Sequence, residues 1–341
     1  MKITKETLCS LPFCYAVTTL QRDGKTYYLM ATDGQGPCYA FDSETLERET
    51  VWEGPGGTMS LVEIPGSNGE FLAVQNFMPG FQAAGAEIVH VKKDAAGWHA
   101  STWVKIPYIH RFDILERGGV RYVLFCTLCT TKKDENDWSS PGGLYVAQLP
   151  ADFSTPPELK QIAGGMTCNH GYCKVERDGW SWALTACDQG LYEVLPPEHP
   201  GGEWEVKQVM SHRISDSALC DIDGDGEEEL ATIEPFHGNA FVVYKKKDGT
   251  YQEIYRYPNK MAFCHVVWGG TLRGEPVFLG GCRAEEKELF LLRWKDGKIQ
   301  EEILEKGKGP SNVAVVHGAV RDTILTANRE SGECALFHAE D

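Results

Sequence analysis

Ten histidines are spread over 341 residues, and three of them recur at matching points of short apolar runs. His110 stands in "YIHRFDI", His170 in "CNHGYCK" and His265 in "FCHVVWG", while Asp216 takes the same place in "ISDSALC". Imidazole nitrogens with one carboxylate form a donor set for a divalent ion (Mn, Zn, Mg or Ca) that can polarise a carbonyl. A single histidine is accounted for equally well by a structural hydrogen bond, so several in register carry the expectation of metal. A second set follows the runs: Glu234 and His237 in "EPFHGN", Arg283 in "GCRAEE", Arg329 in "NRESGE" and Asp188 in "ACDQG". His237 suits a general base, because imidazole titrates near neutrality, and Tyr172 or Glu234 suits the acid. Arg283 and Arg329, with Arg111, Arg213 and Asp188, are the expected substrate-binding residues, since guanidinium groups clamp oxygen-rich ligands in pairs of hydrogen bonds. His212 is expected on the rim or as a further ligand, and His317 as structural.

The elements that must bring these residues together are strands. Long amphipathic helical patterns are missing, and short runs such as "KTYYLMAT", "VRYVLFCTL", "WSWALTACD" and "EPVFLGGC" are cut by Gly, Asp and Asn. Each run follows a tight polar turn: "RDG" at Arg22–Gly24, "GSNG" at Gly66–Gly69, "RGG" at Arg117–Gly119, "RDG" at Arg177–Gly179, "DGDG" at Asp223–Gly226, and the turns beginning at Arg273 and Arg321. Their spacing of roughly 45 to 60 residues matches propeller blades with insertions. The expected fold is therefore all-β, a seven-bladed β-propeller forming one domain over residues 1–341. Blades are expected near 11–56, 57–106, 107–164, 165–210, 211–258, 259–307 and 308–341, with residues 1–10 as the strand that closes the last blade. A closed ring leaves no open sheet edge. Counting back about seven or eight positions from each turn gives the mouths of the inner strands: Tyr15, Met59, His110, His170, Asp216, His265 and Asn312. In a propeller these mouths, and the loops after each second strand, open on one face.

Composition narrows the partners. A net charge of −16 excludes nucleic acid, whose binding requires clustered Lys and Arg. No signal-peptide core or membrane-length apolar run is present, so a cytoplasmic protein with no membrane partner is expected. The twelve cysteines sit mainly in apolar runs such as "YVLFC" and are expected to be free thiols in the core. Oligomeric state is not legible.

The stretch "ALCDIDGDGEEELATIEPFHGNAFVVYKK" resembles an FG-GAP or VCBS-type propeller repeat, whose hallmark is aspartates and glycines before a short apolar strand. Its Asp221, Asp223, Asp225 and Glu229 are spaced like a calcium loop, although Asp-Gly turns also form without an ion. The "IEPFHGN" tail and the blade count resemble the propeller of aldos-2-ulose dehydratase and its bacterial relatives. The resemblance implies a metal-dependent carbohydrate lyase or dehydratase that eliminates a group β to a carbonyl in a keto-sugar, keto-glycoside or uronate, with a small carbohydrate as substrate. Its rivals are a non-catalytic propeller binding a glycan or protein through its top face, and another metal-dependent sugar hydrolase or isomerase.

Overall fold

The computed structural model describes residues 1–78, 80 and 82–341. Pro79 and Phe81 lie outside the described residues. The described chain is all β: seven four-stranded antiparallel sheets, the blades of a seven-bladed β-propeller. Blades 1 to 6 run in chain order from inner to outer strand, starting at Cys14, Leu61, Ile109, Gly171, Asp216 and Met261. Blade 7 takes three strands from Pro310–Val316, Asp322–Asn328 and Glu333–Glu340. The N-terminal strand Lys2–Ser10 supplies its fourth, pairing from Lys2↔Glu340 to Ser10↔Glu333. No helix among the described residues is long and apolar enough to cross a membrane.

The recurring turn sequences have a shared conformational cause. In the turns after the inner strands of blades 1, 3, 4 and 6, both central residues lie at positive φ: Asp23 and Gly24, Gly118 and Gly119, Asp178 and Gly179, Arg273 and Gly274. That is the turn whose twist matches the flanking strands, and Gly or Asp enters it at least cost. The second strands that follow are buried on both faces. Lys25–Thr32 has six consecutive buried residues, so its sequence is a continuous apolar run instead of an alternation. Outer strands face water on one side, as in Lys298–Glu305, "KIQEEILE", with three consecutive exposed residues.

Two compact units are distinguished, Met1–Tyr15 with Arg213–Asp341, and Ala16–His212. In the first, Phe241, Phe278, Phe290 and Tyr257 fill the space between blades, with Tyr257 stacked on Phe290 at 3.8 Å. Gly280 is required there, because a Cβ would lie 2.2 Å from the Phe290 ring. In the second, Leu115, Leu124, Leu144, Ala183 and Val194 make the corresponding core. The cysteines form no disulfide among the described residues, and most are buried.

Candidate functional site

The mouths of several inner strands carry a β-bulge. In blade 3 the pairing jumps from Ile109↔Thr127 to Arg111↔Cys126, leaving His110 as the extra residue. His265 is the extra residue between Cys264↔Cys282 and Val266↔Gly281, and Ser311 between Pro310↔Asn328 and Asn312↔Ala327. A bulge re-aims one side chain and breaks the alternation of the strand. Counting back from the turn therefore lands one residue away in blade 7, on Asn312 beside the bulge residue Ser311. The bulges also latch neighbouring blades. The Ser60 hydroxyl donates to the His110 carbonyl at 3.1 Å, and His265 Nδ1 donates to the Ser311 carbonyl at 2.6 Å.

Within Met1–Tyr15 and Arg213–Asp341, His265 is the centre of an aromatic and basic cluster. It is 3% exposed, and its Nε2 lies 3.1 Å from the hydroxyl of Tyr15, itself 3% exposed. Because the Ser311 carbonyl only accepts, Nδ1 carries the proton of the neutral ring, and Nε2 accepts from the phenol. The His237 ring is 5.4 Å from that of His265 and stacks on Phe236 at 4.0 Å and Phe263 at 4.3 Å. Its backbone N–H donates to the Ser215 hydroxyl at 3.2 Å. The Arg283 guanidinium lies 4.5 Å over the Phe263 ring and donates to Glu330, a carboxylate that Arg329 also approaches at 3.3 Å. Arg329 in turn lies over Phe13, a half-exposed ring. This part of the chain thus joins imidazoles, a phenol, two guanidinium groups and accessible aromatic surface, the groups needed to move protons and hold an oxygen-rich ring.

Other expected residues in this unit are placed differently. Asp216 opens its inner strand, is buried, and accepts the Ser217 N–H at 2.9 Å. The Glu234 carboxylate accepts from the hydroxyls of Thr232 at 2.7 Å and Tyr244 at 2.8 Å, so its oxygen is engaged within its own blade. Arg213 is exposed. His317 lies 3.1 Å from Asp322 at the turn end of blade 7.

Within Ala16–His212, His110 and His170 pack ring to ring, with centroids 4.5 Å apart and Phe77 against His110 at 5.3 Å. Both imidazoles are buried. Arg111 donates to the Met59 carbonyl at 2.9 Å, which ties one strand mouth to the next. Tyr172 lies two residues beyond His170, and burial pushes its phenol well above the usual range, so it is protonated at neutral pH. Asp188 is half-buried and its backbone N–H donates to the Thr167 carbonyl at 2.9 Å. His212, which ends this unit, is exposed.

The aspartate loop after the inner strand of blade 5 brings Asp221, Asp223 and Asp225 together. It also receives the Lys245 ammonium, 2.6 Å from Asp223, 2.7 Å from Asp225 and 2.8 Å from the fully buried Glu229. Burial works against that charge, but the three carboxylates outweigh it and raise the lysine pKa. Sequence reasoning missed Lys245, which belongs to the facing strand Ala240–Lys247. The signal was its pairing register, which no local spacing reveals. It also missed the Tyr15–His265 bond, although both residues had been located at strand mouths.

No family model matches the sequence, and no curated protein matches it. Among solved structures, the chain is similar to the PQQ-bound aldose sugar dehydrogenase of Streptomyces coelicolor, at 13% identity and a TM-score of 0.50, over 100% of this chain and 99% of that one. It is similar to Saccharomyces cerevisiae Sqt1 at 8% identity and a TM-score of 0.57, over 100% and 99%. A candidate 6-phosphogluconolactonase of Bacteroides fragilis aligns at 13% identity and a TM-score of 0.55, over 92% and 93%. Two of these three carry names of sugar-processing enzymes, and at such identities what they share with this chain is the fold.

Proposed function

We propose that this propeller is a carbohydrate-active enzyme that eliminates a group β to a carbonyl in a keto-sugar, keto-glycoside or uronate, with a divalent ion. The observation that carries the reading is the packing of His110 on His170 at 4.5 Å, two buried imidazoles at matching strand mouths. A binding platform has no need of them. His110, His170, His265 and Asp216 are the proposed ligands. The first two fit an ion by donor type and burial; His265 fits once the Tyr15 hydroxyl gives up Nε2. Such an ion supplies Lewis acidity toward the carbonyl.

The remaining roles belong to side chains. His237, held by its phenyl neighbours, is the proposed base that takes the proton α to the carbonyl. Tyr172, kept protonated by burial, is the proposed acid that protonates the leaving oxygen. Glu234 is the weaker candidate, because its carboxylate already accepts two hydroxyls. Arg283 and Arg329 are the proposed holders of substrate oxygens, and Phe263 and Phe13 offer rings on which a sugar face can stack. The names of two structural neighbours support a sugar as substrate. The likeness to the candidate lactonase supports a second reading, metal-dependent hydrolysis of a sugar lactone.

The test is product analysis after incubating metal-loaded protein with oxidised sugars, uronates and sugar lactones. An ultraviolet-absorbing unsaturated product that disappears in His237→Ala is expected. A saturated hydrolysis product moves the assignment to the hydrolase. Purified protein without metal, whose glycan binding is unchanged in His110→Ala, overturns the enzymatic reading.

A further inference from the structure

Within Ala16–His212, the turn ends of the inner strands border a cavity of about 660 Å³. That lies in the range of small-molecule sites. Its lining includes Leu61, Val62 and Pro65, and the charged side chains Arg22, Glu63, Asp113 and Lys174, of which Arg22 is paired with Glu49 at 3.1 Å. The Lys174 ammonium is 2.6 Å from Glu176.

Several buried and half-buried carboxylates are matched by a cation of the chain. Asp42 has Lys25 at 2.8 Å, Glu49 has Arg22 at 3.1 Å, Glu229 has Lys245 at 2.8 Å and Glu288 has Lys306 at 2.7 Å. Asp113 and Glu63, which line the cavity, have no such match. Each accepts a backbone N–H, Asp113 from Ile114 at 2.7 Å and Glu63 from Gln21 at 3.0 Å. Neither forms an ion pair within 4.0 Å among the described residues. Burial raises both, Asp113 to about 6 against the opposing pull of Lys174. A half-buried carboxylate that forms no ion pair gains from a cation brought by a ligand. A metal ion is the poorer candidate. Asp113 and Glu63 join no group of three donors within 4.8 Å among the described residues.

We propose that this cavity binds a small organic cation, an alkyl diamine or polyamine. Its ammonium groups are received by Asp113 and Glu63, and its methylenes lie on Leu61, Val62 and Pro65. The site involves none of the residues given roles in elimination, so it stands or falls independently of that reaction.

Isothermal titration of the full chain with putrescine and with spermidine tests it, at constant ionic strength and with magnesium chloride as comparison. A saturable heat is expected, weakened at least about tenfold in Asp113→Asn and in Glu63→Gln. The exposed Asp296→Asn is expected to bind as the parent does. Thermal melting of each variant establishes that it is folded. No saturable amine binding, equal binding by the cavity variants, or competition by magnesium at equal concentration overturns the proposal.

Discussion

His265 shows how one hydrogen bond narrows the role of a residue. With Nδ1 donating to Ser311 and Nε2 accepting from Tyr15, the ring is oriented and its tautomer assigned. Tyr15→Phe removes the donor and leaves a buried nitrogen without that bond, at an expected cost of about 1–3 kcal/mol in denaturant unfolding. If Nε2 ligates an ion, the same variant takes up divalent metal more tightly than the parent; equal or weaker uptake removes His265 from the ligand set. Asp113 makes a prediction of opposite sign. Its folded-state pKa, raised by burial to about 6, lies above the ordinary aspartate value of 3.8. The stability it contributes is present below that lower value and is lost as pH rises through the higher one. The nearby Lys174 opposes the shift and Glu176 reinforces it. Asp113→Asn should therefore match the parent near pH 4 and melt at a higher temperature above pH 6, in parallel thermal scans. The candidate residues themselves were legible as types at repeated positions. Their partners were not, because Tyr15 and His265 are 250 residues apart.

At the scale of the element, the turns were legible and the bulges were not. A pair such as Asp-Gly reports its own backbone conformation, since few residues tolerate positive φ at both central positions. A bulge at His110, His265 or Ser311 depends on the partner strand, so sequence counting lands on the neighbouring Asn312 in blade 7. The aspartate loop of blade 5 illustrates the same limit. Its ligand spacing is that of a calcium loop, while its observed cation is Lys245. Lys245→Met leaves Glu229 buried without its ion pair and is expected to cost about 3–5 kcal/mol by chemical denaturation. Calcium at millimolar concentration should restore part of that loss in the variant and leave the parent unchanged. A parent that is itself stabilised by calcium would show that the lysine is displaced by the ion.

The whole molecule depends on a contact between its two ends. Lys2–Ser10 pairs with Glu333–Glu340 along the length of the strand, although its side chains are largely exposed. Its contribution is thus the satisfaction of backbone groups along an otherwise open edge more than apolar burial. Deleting residues 2–10 should lower the melting temperature and produce soluble aggregates in size-exclusion chromatography, because the strand Glu333–Glu340 is then presented for pairing. An unchanged, monodisperse profile would show that the edge is protected by other means. By itself, the order of residues determined the all-β class, the seven repeats, the turn types and the closing strand. These follow from local periodicity and from the restricted backbone angles of the turns. Tertiary structure alone decided which residues bulge, which nitrogen of His265 is engaged, which cation enters the aspartate loop and which carboxylates lack one. Each of those depends on side chains from different strands arriving at one point, and the distance between them along the chain carries no record of it.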